Sequence, residues 1–151
     1  MRYFEEGVAN SDVRPGIIKL ASSSNELTTG EVKAFRACAK AQWRMGLAIT
    51  THVQGLGAAE SQLDLLEAAG AEASRVILGH TAPYVVEIPW VARGLMNRGA
   101  SFLLTNLRTD GPSESTKRLV AEIRRLFDDG FGDRLTLRPV GAARLDVGGS
   151  Q

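Results

Sequence analysis

The chain has 151 residues, the length of one domain with a core of its own. Its 18 lysines and arginines nearly balance 17 aspartates and glutamates, and the basic residues look scattered, so no nucleic-acid partner is expected. No apolar run is long enough to cross a membrane, and no signal-peptide core follows Arg2. With a single cysteine, Cys38, and hence no internal disulfide, the chain is predicted to be cytoplasmic and without membrane contacts.

Strand and helix patterns alternate along most of the sequence. Short apolar runs bounded by turn residues predict strands at 16–21, 47–52, 75–80, 101–105 and 134–138. Amphipathic patterns, most of them followed by a glycine, predict helices at about 28–45, 58–69, 88–97 and 115–128. This rhythm is typical of strand–helix units in a parallel sheet. Five units are fewer than the eight of a closed (β/α) barrel, so the fold class is α/β, an open or incomplete TIM-type barrel.

The helix predicted from Thr28 has a defined start and a defined core face. Thr28 with Glu31 three residues later has the form of a capping box. The residues at helical spacing that are expected to face the core are Val32, Phe35, Ala39 and Trp43. Residues 1–140 are expected to form the domain, and the glycine-rich tail at 141–151 is expected to fray.

Three polar residues occupy equivalent places in the first three predicted strands. Lys19 interrupts an apolar run near its C-terminal end, and His52 and His80 end the next two. In (β/α) barrels the active site is built at this end of the strands. Each residue also has a structural interpretation: Lys19 could extend to solvent, and each histidine could be a hydrogen-bonded residue beneath a loop.

Several segments, in this order, resemble the phosphotriesterase family of the metal-dependent amidohydrolase superfamily. They are Gly7-Val8, the run from Val13 to Lys19, Ile49-Thr50-Thr51-His52 and Val76-Ile77-Leu78-Gly79-His80. The resemblance is specific because the strand-end motifs occur together. It extends from about residue 5 to 80, less closely to about 137, and matches only the C-terminal part of the family's barrel.

The resemblance implies a metal-dependent hydrolase that cleaves a small-molecule ester, either a phosphoester or a lactone, through a metal-activated water. Lys19 falls on the family's lysine that is carboxylated and bridges two metals. His52 and His80 fall on the two single histidines that hold the more exposed metal. The implied cofactor is a divalent cation, most simply zinc.

The sequence departs from the family's pattern for the second metal. It has no His-x-His pair, and the first barrel strands that would carry one are absent. The place of the strand-end aspartate holds Val140 or a neighbour, and Thr105 or Asn106 stands where an acidic residue is expected. Asp110 and Asp146 are the remaining acidic candidates.

Three functions therefore stay open. The chain could be a phosphotriesterase-type hydrolase, an inactive truncated relative that serves as a binding or assembly module, or a subunit completed by another chain. A complementing chain or a homo-oligomer would cover the open edges of the sheet.

Overall fold

A computed structural model describes residues 6–9, 11–108 and 113–140. The five strands are β1 (Ile17–Ala21), β2 (Ala48–His52), β3 (Val76–Gly79), β4 (Ser101–Arg108) and β5 (Leu135–Val140). The helices are α1 (Thr29–Met45), α2 (Ala58–Ala68), α3 (Ala82–Glu87), α4 (Pro89–Asn97) and α5 (Glu114–Asp128). Short 3₁₀ turns at Ala73–Arg75 and Gly132–Arg134 lead into β3 and β5. The predicted tail at 141–151 lies outside the described residues.

The sheet confirms the prediction of parallel strands. Its strands follow one another in the order β1-β2-β3-β4-β5, and every neighbouring pair is parallel. Each strand therefore reaches its neighbour through a helical crossover, and crossovers of the usual right hand place all these helices on one face of the sheet. We call this the outer face and the opposite one the inner face.

Burial alternates along the strands as that arrangement requires. On the outer face Ile49, Leu78 and Phe102 are fully buried beneath the helices. On the inner face of β1, Ile17 is 47% exposed, and Lys19 and Ala21 are exposed as well. The described residues therefore form one hydrophobic core, between sheet and helices, and leave the inner face of β1 exposed.

The predicted capping box at the start of α1 is confirmed. The Thr28 hydroxyl accepts the Glu31 N–H at 3.3 Å, and the Glu31 carboxylate accepts the Thr28 N–H at 2.7 Å. The same carboxylate accepts the Ser23 N–H at 2.7 Å, which ties the loop after β1 to the helix. The helix ends at Gly46, whose φ of 66° is left-handed.

The prediction that Trp43 faces the core is wrong. Its side chain is 74% exposed, and the neighbouring Gln42 is buried in its place, at 2% exposure. The Gln42 amide accepts the Glu72 N–H at 2.7 Å and donates to the Arg75 carbonyl at 3.3 Å. A polar residue belongs in the interior here because it satisfies backbone groups of the turn that precedes β3.

One helix was not predicted. α3 begins directly after Thr81, and Pro83 lies in its first turn, where the missing N–H is tolerated. The second proline, Pro89, starts α4 in the same way. Among the described helices there is none with the length and apolar character needed to cross a membrane.

Candidate active site

The C-terminal end of β2 places His52 on the inner face. Its Nε2 lies 3.1 Å from Gln54 Oε1, an acceptor, so in the neutral ring Nε2 carries the proton and Nδ1 carries the lone pair. The fully buried Gln62 of α2 donates from Nε2 to the His52 carbonyl at 2.9 Å and to Ser22 Oγ at 2.7 Å. This amide thus fixes the end of β2 beside the end of β1.

His80 reaches the same place through an unusual backbone. Gly79 lies opposite His52 in the register of β2 and β3, so a next residue in regular strand geometry would point to the outer face. Instead His80 is left-handed, with a φ of 65°, which costs a non-glycine residue about 1–2 kcal/mol. The two imidazole rings lie side by side, with centroids 4.1 Å apart and planes at 51°.

Thr105 of β4 holds the His80 ring. Its hydroxyl lies 2.7 Å from His80 Nδ1, and the threonine itself is only 6% exposed. Burial lowers the pKa of His80, and the nearby positive groups of His52, Lys19 and Arg138 lower it further. Both effects favour a neutral imidazole, and in the tautomer whose Nδ1–H donates to the Thr105 hydroxyl, Nε2 has a lone pair for a metal or a proton.

Lys19 shares the inner face with the histidines but lies one layer deeper. In the register of β1 and β2 it is opposite Thr50, and Ala21 is the residue opposite His52. Its side chain is exposed on the uncovered face, yet partial burial lowers the pKa of its amine. Lys19 is also close enough to influence the charge of His80.

A buried tyrosine supports the loops around the histidines. Tyr84 of α3 is 1% exposed, and its hydroxyl accepts the Ala59 N–H at 3.0 Å and donates to the Gly55 carbonyl at 3.3 Å. Burial raises the pKa of this phenol to about 12, so it stays neutral. The loop between β2 and α2 is therefore fastened to the helix that follows β3.

A cavity of about 450 Å³ opens beside His80. Its polar lining includes His80 and Thr105, and its apolar walls include Val53, Val86 and Leu119. The cavity thus joins an imidazole to a largely apolar compartment between α3 and α5, a combination that suits a small organic molecule with one polar end.

The residues present supply part of a metal site. Two adjacent imidazoles are suitable ligands for a divalent cation, whereas an ammonium at Lys19 has no lone pair and would have to become a carbamate. Among the described residues there is no group of three or more His, Cys, Asp or Glu side chains that could hold a metal. The acidic candidates Asp110 and Asp146, and the side chain of Val140, lie outside the described residues.

Parallel strand–helix units with polar groups gathered at the strands' C-terminal ends define the class: part of a (β/α) barrel. The model of the phosphotriesterase family matches residues 1–140, and the chain belongs to that family. The phosphotriesterase-related protein of Nematostella vectensis is 28% identical over 142 residues, covering 87% of this chain and 40% of that protein. The phosphotriesterase homology protein of Mycobacterium tuberculosis strain H37Rv is 36% identical over 81 residues, covering 53% of this chain and 25% of that protein.

Solved structures place the chain within the family's barrel. The organophosphorus hydrolase from Deinococcus radiodurans superposes with a TM-score of 0.78 at 31% identity, covering 90% of this chain and 41% of that one. The phosphotriesterase homology protein of Escherichia coli, complexed with phosphate in its active site, superposes with a TM-score of 0.75 at 27% identity, covering 90% and 46%. The prediction of a partial TIM-type barrel is confirmed, and the chain spans less than half of each of these relatives.

Three residues of the site were not singled out from the sequence. In the sequence Thr105 stands where the family has an acidic residue, and its place at the end of the fourth strand, like that of the histidines, is a usable signal. Gln62 and Tyr84 gave no such signal, because their partners are backbone groups and a hydroxyl that only the fold brings near.

Proposed function

We propose that this chain provides part of the active site of a phosphotriesterase-type hydrolase, which cleaves an ester bond of a small molecule, a phosphoester or a lactone, with water. The observation that carries the proposal is the pair of adjacent imidazoles of His52 and His80 at the C-terminal ends of neighbouring strands, with ring centroids 4.1 Å apart. The family supports hydrolysis as the reaction.

His52 and His80 would be the nitrogen ligands of a divalent cation, most simply zinc. When bound, such an ion lowers the pKa of water and polarises the oxygen of a carbonyl or phosphoryl group. Thr105 keeps the His80 ring oriented, and Gln62 keeps the end of β2 in place. The cavity beside His80 would receive the organic part of the substrate.

Lys19 would be the third ligand, as a carbamate. Its lowered pKa increases the fraction of neutral amine, the form that adds to carbon dioxide. The nitrogen lone pair forms the new N–C bond, one proton leaves the nitrogen, and an anionic carboxylate remains on the side chain. Such an anion beside two imidazoles suits a cation, and without one it would decompose back to the amine.

The proposed activity needs groups beyond the described residues. Two histidines and one carbamate complete at most one metal site, and in the described part of the chain the inner face of β1 is exposed. We therefore propose that catalysis depends on a complementing chain that covers this face and supplies further ligands. A non-catalytic binding module is the second candidate, favoured by the lack of a group of three His, Cys, Asp or Glu ligands in the described part of the chain.

Metal and carbon dioxide uptake test the proposal on the chain itself. Zinc titration should show at most one weakly bound ion per chain, lost in His52→Ala and in His80→Ala. In ¹³C-bicarbonate, NMR should show a carbamate signal that requires zinc and disappears in Lys19→Ala. The exposed Lys33→Ala on α1 is the matched control and should change neither measurement.

Hydrolysis assays complete the test. Turnover of a lactone and of a phosphotriester by the chain alone should be low or absent. Two tightly bound metals, or robust turnover abolished by Lys19→Ala, would contradict the dependence on a complementing chain. Zinc binding that survives both histidine substitutions would overturn the proposed site, and a complete failure to bind zinc would favour the non-catalytic module.

A further inference from the structure

The basic residues looked scattered along the sequence, but α1 gathers four of them into a stripe. Lys33, Arg36, Lys40 and Arg44 are all exposed. At about 100° per residue, their four positions fall within an arc of roughly 80° around the helix axis and extend for about 16 Å along that axis. The unexpectedly exposed Trp43 lies at the border of this stripe, near its C-terminal end.

Four acidic side chains, on α1 and on the neighbouring α2 and the turn before β3, have partners outside the stripe. Glu31 is engaged in the capping box, and Arg75 binds Glu72 at 3.0 Å. On α2, Asp64 and Glu67 both bind Arg98, at 2.7 and 2.6 Å.

No ion pair joins any of the four cations of the stripe to another described residue. The stripe therefore presents uncompensated positive charge, although the whole chain has a net charge of only +1.

A groove lies beside Trp43, where the stripe ends. It has a volume of about 330 Å³, and it is lined by Lys40, Trp43 and Arg44 from α1 and by Ala69 and Gly70 after α2. The small residues on the α2 side leave room for one bulky side chain against the indole. The cations Lys40 and Arg44 flank the same space. The groove therefore suits a ligand whose apolar group lies next to a negative charge.

We propose that the basic stripe and the groove bind an acidic amphipathic helix of a partner protein. Its aspartates and glutamates, spaced one turn apart, would meet the lysines and arginines of α1, and one large apolar side chain would fill the groove beside Trp43. Helix-in-groove recognition of this kind combines a hydrophobic anchor with charge pairs that set the orientation. The surface lies on the helical side of the sheet, so the inference is independent of the proposed hydrolase activity.

The observations favour a helix over the other anionic partners. A lipid surface would require several protruding apolar side chains, and Trp43 is the only large one on the exposed side of α1. Single-stranded nucleic acid is bound through successive stacking aromatics, and the stripe offers one. A protein helix needs one anchor and a row of charges, which is what this surface has.

The test measures binding of a synthetic helical peptide of about 18 residues to the full chain. The peptide has glutamates one turn apart on one face and a single leucine beside them. A peptide of the same composition in scrambled order is its control. Fluorescence anisotropy of the labelled peptide should show micromolar binding that weakens as salt is raised, and the scrambled peptide should bind at least tenfold more weakly.

Charge reversal on the protein locates the site. Lys40→Glu with Arg44→Glu should weaken binding at least tenfold, and Trp43→Ala should weaken it about tenfold without changing the salt dependence. Arg118→Glu with Arg124→Glu makes the same change in net charge on the exposed face of α5 and should have no effect. Circular dichroism checks that each variant is folded. If Lys40→Glu with Arg44→Glu does not fold, Lys40→Gln with Arg44→Gln takes its place.

Three results would overturn the proposal. The first is no peptide binding at physiological salt, and the second is binding that the stripe variants leave unchanged. The third is tighter binding of anionic phosphatidylserine vesicles or of single-stranded RNA than of the peptide, which would assign the surface to a membrane or to nucleic acid.

Discussion

His80 has a left-handed backbone that no other described non-glycine residue shares except Ala9. Strain of this kind persists only where the surrounding structure holds it, here through the Thr105 hydrogen bond and the β3–β4 pairing. It is the feature that turns the imidazole toward His52.

Comparing two substitutions of His80 isolates that strain. His80→Ala and His80→Gly both remove the imidazole, but alanine retains the left-handed penalty and glycine does not. We expect the glycine variant to be more stable by about 1 kcal/mol, the reverse of the usual order of the two residues. Urea unfolding measures the difference, and an alanine variant of equal or greater stability would show that His80 is not strained.

Gly79 is required because of a close approach between strands. A Cβ at this position would lie 2.5 Å from the carbonyl oxygen of Thr51, a backbone atom that cannot move alone. We expect Gly79→Ala to destabilise the chain by about 1–3 kcal/mol, the usual range for overpacking, and to weaken zinc binding because β2 and β3 are pushed apart.

Gly94 of α4 provides the matched control for Gly79→Ala. An added methyl group there meets nothing within 4 Å, and the residue is helical. Gly94→Ala should therefore stabilise the chain by up to about 1 kcal/mol through helix propensity. If Gly79→Ala were as well tolerated, the close packing of β2 against β3 would be wrong.

At the scale of elements, the capping box of α1 makes stability depend on pH. Backbone hydrogen bonds from Thr28 and Ser23 lower the pKa of Glu31 from 4.5 to about 2. Because the folded pKa is depressed, the stabilisation is fully present above pH 4.5 and is lost as the pH falls toward 2.

Replacing Glu31 tests this dependence. Glu31→Gln should be less stable than the native chain at neutral pH, and the difference should disappear between about pH 4.5 and 2. Thermal unfolding across this range measures it, and Glu26→Gln, in the loop before the helix, should show no such convergence. A difference that stays constant down to pH 2 would mean that the Glu31 carboxylate is not held by the backbone.

The elements themselves were largely predictable, because each depends on a local pattern. The apolar runs predicted the first residue of each of the five strands to within about two positions, and Thr28 with Glu31 predicted the start of α1. The choice between Trp43 and Gln42 was not predictable, since the hydrogen bonds that hold Gln42 inside come from residues 30 or more positions away.

The proximity of the two histidines was predictable from the sequence, and the depth of Lys19 relative to them was not. Strand ends brought His52 and His80 to one place, as expected. The sequence pattern also predicts Lys19 in this set, but the register puts it one layer deeper, and register is a property of strand pairing that the sequence of one strand does not contain. Its role as a metal ligand stays a prediction.

At the scale of the whole molecule, the described sheet has two different edges. At one edge, β5 contains Arg138 and Pro139, a charge and a residue without an N–H, both of which discourage pairing with another strand. At the other edge, β1 has one charge, Lys19, and no proline, and it presents the half-exposed Ile17 on its inner face. We therefore expect β1 to be the edge where another chain pairs.

The isolated chain should self-associate through β1 when no complementing chain is present. We expect its mass in sedimentation velocity to rise above 16.2 kDa with concentration. Ile17→Lys should shift it toward the monomer, because an inward charge on an edge strand opposes pairing. Val13→Lys is the matched control: Val13 is 68% exposed but precedes the strand, so it should leave the association unchanged. A native chain that stays monomeric at every concentration, or association that Val13→Lys and Ile17→Lys reduce equally, would show that β1 and the inner face are not the surface that another chain covers.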